Sequence, residues 1–185
     1  VAIDFQTLTS CAFSLTIVQN QESKQLRCPA ILVHNDIPKL EAKKNNMIIK
    51  NIVAVVVGIV LGSLANIALV NLGPMVIPIP EGADVSTLEK LRESMHLFSP
   101  ANFLFPFLSH AVGTLVGAFV TTKLAASRHL TLAIGVGCYF LLGGIAAVIL
   151  LGGPLWFQAV DLIVAYLPMA YLGAFLAGAT PAKPS

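Results

Sequence analysis

The chain has 185 residues, 56% of them hydrophobic and only 11% charged, with a mean hydropathy of +0.83. A soluble globular domain carries about 25% charged residues, so this is a membrane composition with length for one domain. A net charge of +2, with no Lys/Arg cluster among aromatics, excludes a nucleic-acid-binding surface.

Residues 1–46 have no sustained hydrophobic period and no repeat. The apolar run Phe13–Val18 is too short to span a bilayer and follows Asp4 rather than a basic region, so it does not read as a signal peptide. The first methionine, Met47, stands directly before the first spanning stretch. Two readings fit: an unstructured leader translated upstream of a working start at Met47, or a disordered cytoplasmic tail. Cys11 and Cys28 fall here, and their spacing neither requires nor excludes a disulfide.

The first span is predicted over Ile48–Leu72, since about 20 apolar residues cross a bilayer as a helix. Ala54, Gly58, Gly62 and Asn66 recur every four residues and share one face. Gly58 and Gly62 form a GxxxG pair, which lets helix backbones approach closely in lipid. Gly73-Pro74 is expected to end the helix. In the loop from Pro74 to Pro106, Ser86 and Glu89 fit a capping box. Leu88, Leu91, Met95 and Phe98 then give one apolar face, so a short amphipathic surface helix is predicted.

Ser99-Pro100 leads into the second span, Phe103–Ala126, with a kink expected at Pro106. Here Ser109, Gly113, Gly117 and Thr121 fall at intervals of four, with His110 beside them. The third span, Thr131–Leu151, carries Cys138, read as a small apolar filler. Gly152-Gly153-Pro154 is a turn, and Trp156 and Phe157 suit the interfacial belt. The fourth span runs to about Ala179, bent at Pro168, with Gly173 and Ala177 as another small pair. Tyr166 and Tyr171 read as packing or anchoring residues, and residues 180–185 as a disordered tail. The expected fold over residues 47–179 is all-α: an integral membrane antiparallel four-helix bundle, packed through Gly58, Gly62, Gly113, Gly117 and Gly173.

Near the spans, Lys39, Lys43, Lys44, Lys50, Lys123, Arg128 and Lys183 fall on one side, and Lys90 and Arg92 on the other. The positive-inside rule then places both termini in the cytoplasm. Asn66, His110 and Asp161 are the informative polar positions, because intramembrane polar groups are costly and face the protein interior. Counting about 1.5 Å of rise per residue puts all three on the order of 7–11 Å inside the outer boundary, at one level on three helices. They are expected to form a hydrogen-bonded cluster that acts as interhelical glue. The sharper alternative is a proton or cation site, since an Asp–His pair can exchange a proton. His96 and His129 lie on opposite sides, so no metal site is expected. Neither a cofactor nor a catalytic residue is assigned.

The strings GPMVIPIPEGADV, MHLFSPANFLFPFLSHAVGTLVGAF and PLWFQAVDLIVAYLPMAYLG resemble a group of small uncharacterised bacterial four-span membrane proteins, over about residues 47–178. The resemblance implies a bacterial cytoplasmic (inner) membrane and transfers no catalytic residues. Small multidrug exporters carry an acid in their first span, which is missing here. Small fluoride channels have a Gly-Arg pattern without a match, and intramembrane serine proteases need a GxSG motif that does not occur. The expected function is a non-enzymatic membrane scaffold or partner-binding subunit, with lipid, a second copy or a membrane protein as partner. The alternative is a small transporter or channel using Asn66, His110 and Asp161.

Overall fold

The computed structural model describes the backbone of residues 5–179 and the side chains of residues 38–179. The chain divides into two units, Val1–Asn46 and Met47–Ser185. In the first, the backbone is helical from Phe5, where an unstructured leader was expected. Its last residues, 38–46, are exposed and helical because Lys39-Leu-Glu-Ala-Lys-Lys are strong helix formers with no Gly or Pro among them. The Cys11 and Cys28 side chains and the tail 180–185 lie outside the described residues.

The described residues are all-helical, and four helices are long and apolar enough to cross a membrane. Helix α1 is assigned over Phe5–Val76, α3 over Leu104–Leu124 and α4 over His129–Leu151; the fourth span is made of α5, Leu155–Val164, and α6, Leu167–Leu176. The short α2, Leu88–Ser94, lies between the first two spans.

Large side chains point away from the core. Ile49, Val53, Val56, Leu64, Leu142 and Ile163 are exposed, while the buried positions are mostly Ala, Gly, Ser and Thr. Water gives no reason for this inversion, whereas in lipid close backbone packing is the available attraction between helices. Helix α3 supplies two such faces. Ser109, Gly113, Gly117 and Thr121 are buried on one, and Ala111, Thr114, Ala118 and Thr122 on the other. The first face meets α1. A Cβ on Gly62 would come within 2.6 Å of the Gly113 carbonyl oxygen, and one on Gly117 within 3.1 Å of the Gly58 carbonyl oxygen. Thr121 Oγ1 donates to the Ala54 carbonyl at 3.3 Å. Partners on α3 therefore fall from 121 to 113 as those on α1 rise from 54 to 66. The second face meets α4 and α6, where Ala118, Ala133, Ala170 and Ala174 form a fully buried cluster. Gly173 packs there against the α3 backbone at Leu115 and Phe119.

Several boundaries differ from those expected. Helix α1 passes Gly73-Pro74 by one turn, closed by Ile77 N–H donating to the Gly73 carbonyl at 2.8 Å, and stops before Pro78 and Pro80. The cap of α2 is Thr87, whose Oγ1 accepts from Lys90 N–H at 3.2 Å. Ser86 instead gives its N–H to Asp84 Oδ1 at 2.9 Å, an Asx turn that takes it out of the capping position. Lys90 lies 2.7 Å from Asp84 Oδ2. Its ammonium, followed by the Ser86 hydroxyl and amide, holds the Asp84 carboxyl well below the usual carboxylate range. Pro106 produces no kink within α3, because it sits in the first turn, where an amide has no helical partner to lose. The irregularity is a 3-10 turn at Pro100–Phe103 leading into the helix. Cys138 is exposed on α4 and fills nothing.

The connections use special backbone. Gly152 and Gly153 both have positive φ, at 72° and 106°, which only glycine adopts without strain. Between α3 and α4, Arg128 takes the left-handed conformation at φ 53°. Asn51 holds that turn to α1: Oδ1 accepts from Ala126 and Ser127 N–H at 2.9 and 3.2 Å, and Nδ2 donates to Ser127 Oγ at 3.0 Å.

Candidate functional site

The fourth span breaks at Ala165–Tyr166. Pro168 has no N–H for the Val164 carbonyl and its ring would clash there, so α5 ends and α6 begins again at Leu167. Tyr166 takes a non-helical backbone at φ −113° and ψ −81°, and this turns its side chain back along α5. Its hydroxyl donates to Asp161 Oδ2 at 3.0 Å, five residues earlier, a reach an unbroken helix does not provide. The ring enters the slot left by Gly144 on α4, where a Cβ would collide with the hydroxyl and the ring edge.

His110 approaches the same carboxylate from α3. Nδ1 lies 2.9 Å from both Oδ1 and Oδ2 of Asp161. A carboxylate only accepts, so Nδ1 carries the proton. That leaves Nε2, which makes no hydrogen bond with any described residue. The imidazole also lies over the Tyr166 ring, with centroids 5.7 Å apart and a 30° tilt. Asp161 is 2% exposed and Tyr166 1%, whereas the His110 side chain is 24% exposed. A buried carboxylate thus accepts from one neighbouring helix and from a helix break, and histidine is its exit toward open space. Thr114 Oγ1 donates to the His110 carbonyl at 2.8 Å and Ser109 Oγ to the Pro106 carbonyl at 2.7 Å, so neither competes for the pair.

Two cavities border His110, and one of them also borders Asp161. One of about 210 Å³ is lined by Leu91 of α2 and by Met95, Phe98, Phe103 and Phe157, together with Asp161 and His110. The other, about 590 Å³, is a groove between α1 and α4 lined by Ser63, Asn66, Phe140, Tyr139 and Tyr166, again with His110. His110 and Gly144 belong to both linings.

No family model, curated protein or solved structure matches the chain.

Of the three polar positions singled out from the sequence, His110 and Asp161 are in contact and Asn66 is apart from them. Asn66 makes no hydrogen bond to either; its Cβ packs where Gly113 leaves room, and it lines the groove. Tyr166, read from the sequence as a packing residue, is the third member of the hydrogen-bonded set. The signal that pointed to it was Pro168, which forces the break that aims it. Gly58, Gly62, Gly113, Gly117 and Gly173 all sit at close helix contacts. Gly137 and Gly144 do so too, against Ala170 and Tyr166. Among the described residues, no three His, Cys, Asp or Glu side chains gather as metal ligands.

Proposed function

We propose that the chain is a multi-pass protein of the bacterial cytoplasmic membrane, an antiparallel four-span bundle in which His110 and Asp161 form the working site of a small transporter. The opposed register of Ala54, Gly58 and Gly62 against Thr121, Gly117 and Gly113 supports the antiparallel arrangement. So do the short connections at 125–128 and 152–154. The distribution of basic residues supports a cytoplasmic side for both termini and Arg128 and an outer side for the α2 loop. The bacterial membrane rests on the sequence resemblance.

The observation that carries the transport reading is that His110, bonded to the buried Asp161, lines both cavities, one of which Asp161 lines as well. Interhelical glue needs the hydrogen bonds alone, and a scaffold would gain by sealing the space around them. Ionisable pairs that face cavities inside a membrane are the usual elements of ion and proton paths. The chemistry is simple: the imidazole takes and releases a proton at Nε2 while Nδ1–H stays on the Asp161 carboxylate. No covalent step is involved.

Purified protein in liposomes loaded with a pH-sensitive dye tests this reading. The protein should dissipate an imposed proton gradient faster than empty liposomes do. Asp161→Asn, which keeps shape and most hydrogen bonding, should remove the excess flux while melting near the parent temperature. Equal flux from a folded Asp161→Asn protein would refute it.

A further inference from the structure

The groove between α1 and α4 has a polar side that the hydrogen-bond network leaves unused. Among the described residues, Ser63 and Asn66 make no side-chain hydrogen bond, and Nε2 of His110 has none either; all three residues line this groove. Unmatched polar groups at membrane depth cost several kcal/mol each, so three in one groove mark the place where a polar partner is received.

Charge narrows the partner. No Lys or Arg occurs in 51–89, 93–122 or 129–182, and among the described residues His110 is the basic side chain that meets Asp161. With the imidazole neutral, the pair carries one net negative charge inside an apolar shell. Both carboxylate oxygens are already engaged by His110 and Tyr166, which leaves little for a metal cation that needs oxygen ligands. What remains is an imidazole lone pair, an amide oxygen and a hydroxyl, three acceptors beside the rings of Tyr139, Phe140 and Tyr166. A primary ammonium has three N–H donors and one positive charge, and aromatic faces attract it further. The groove, at about 590 Å³, is of small-molecule size, and Ile67 and Leu142 supply an apolar wall for an organic body.

We propose that this groove binds a primary ammonium compound with an apolar body, its N–H groups held by Ser63, Asn66 and His110 and its charge balanced by Asp161. The assignment deepens the transport reading and rests on His110–Asp161 being open to solute.

Calorimetric titration of the full chain in phosphatidylcholine nanodiscs with 2-phenylethylamine and with 2-phenylethanol tests it. These probes share a body and differ in the head group. The amine should bind saturably and at least about tenfold tighter than the alcohol. Asn66→Leu, which touches none of the hydrogen bonds that hold the helices, should weaken the amine about tenfold in a protein that melts no lower than the parent. Asp161→Asn should erase the preference for amine over alcohol, and Lys90→Ala should alter nothing. Equal binding of the two probes, no saturable amine binding, or full affinity in a folded Asn66→Leu protein would overturn the assignment. Saturable amine binding by a protein without Asp161-dependent flux would uphold this site and sink the transport reading, and flux without amine binding would do the reverse.

Discussion

Gly143 and Gly144 stand side by side on α4 and should respond oppositely to the same added methyl group. A Cβ on Gly143 meets nothing within 4 Å. Gly143→Ala therefore removes only the conformational cost of glycine in a helix, a gain of about 0.5–1 kcal/mol. A Cβ on Gly144 lies on the Tyr166 ring, 2.8 Å from Cε2 and closer still to the hydroxyl. Tyr166 is 1% exposed and tied to Asp161, so its ring has no free rotamer to retreat into. Overpacking of this kind costs about 1–3 kcal/mol, and losing the hydroxyl's bond to Asp161 adds about 0.6–1.7 kcal/mol at membrane values. Because the glycine gain is common to both variants, Gly144→Ala should lie about 2–5 kcal/mol below Gly143→Ala. Reversible unfolding in mixed micelles, followed by far-UV circular dichroism, measures the difference. Double variants with Tyr166→Phe locate its source, because the penalty at Gly144 should shrink once the hydroxyl is gone. Equal stability of the two alanine variants would refute the slot and the aimed tyrosine.

Four further outcomes follow from the same contacts. Gly62→Leu should separate α1 from α3 at the Gly113 carbonyl and destabilise by at least about 1–3 kcal/mol in the same unfolding assay; a neutral result would contradict backbone contact there. Asn51→Leu removes three hydrogen bonds to the turn after α3 and should cost about 1–3 kcal/mol, measurable as the same melting loss. Membrane-impermeant thiol labelling of intact cells should reach Cys placed at Glu89 and miss Cys placed at Arg128, and the reverse pattern would invert the topology. The Asp84 carboxyl is lowered in the fold, so the folded loop holds fewer protons than the unfolded one, and its support is complete above the ordinary Asp value of about 3.9. That support fades as pH falls below this value, so amide exchange across residues 84–94, corrected for intrinsic rates, should quicken between pH 6 and pH of about 3, and in Lys90→Ala at both.

Much of this site could be read from residue spacing, for reasons that hold generally in lipid. Long apolar runs specify the four helices, and intervals of four marked the small faces of α1 and α3, which the structure brings into contact. Counting rise per residue from the span ends put His110 and Asp161 at one level. Depth, however, says nothing of rotation about the helix axis. Asn66 is at a similar depth but turned toward the groove, because its helix face is set by Gly58 and Gly62 packing on α3. Tyr166 was illegible for a different reason. Asp161 and Tyr166 are five apart, a spacing that does not bring side chains together on a regular helix, and only the break enforced by Pro168 does so. The α2 cap shows a similar competition: Ser86 and Glu89 satisfied a motif, yet Asp84 claimed Ser86 first.

The central claim is that His110 is the point where a buried carboxylate meets water-accessible space. Solid-state NMR of protein labelled with 15N-histidine in liposomes can read this through magnetisation transfer from water, with His110→Gln used to assign the signal. Nδ1 should appear as the protonated nitrogen facing Asp161, and Nε2 should receive water magnetisation far faster than the amide of fully buried Ala54. An Nε2 signal that builds up as slowly as the Ala54 amide would mean a sealed contact and would contradict the account.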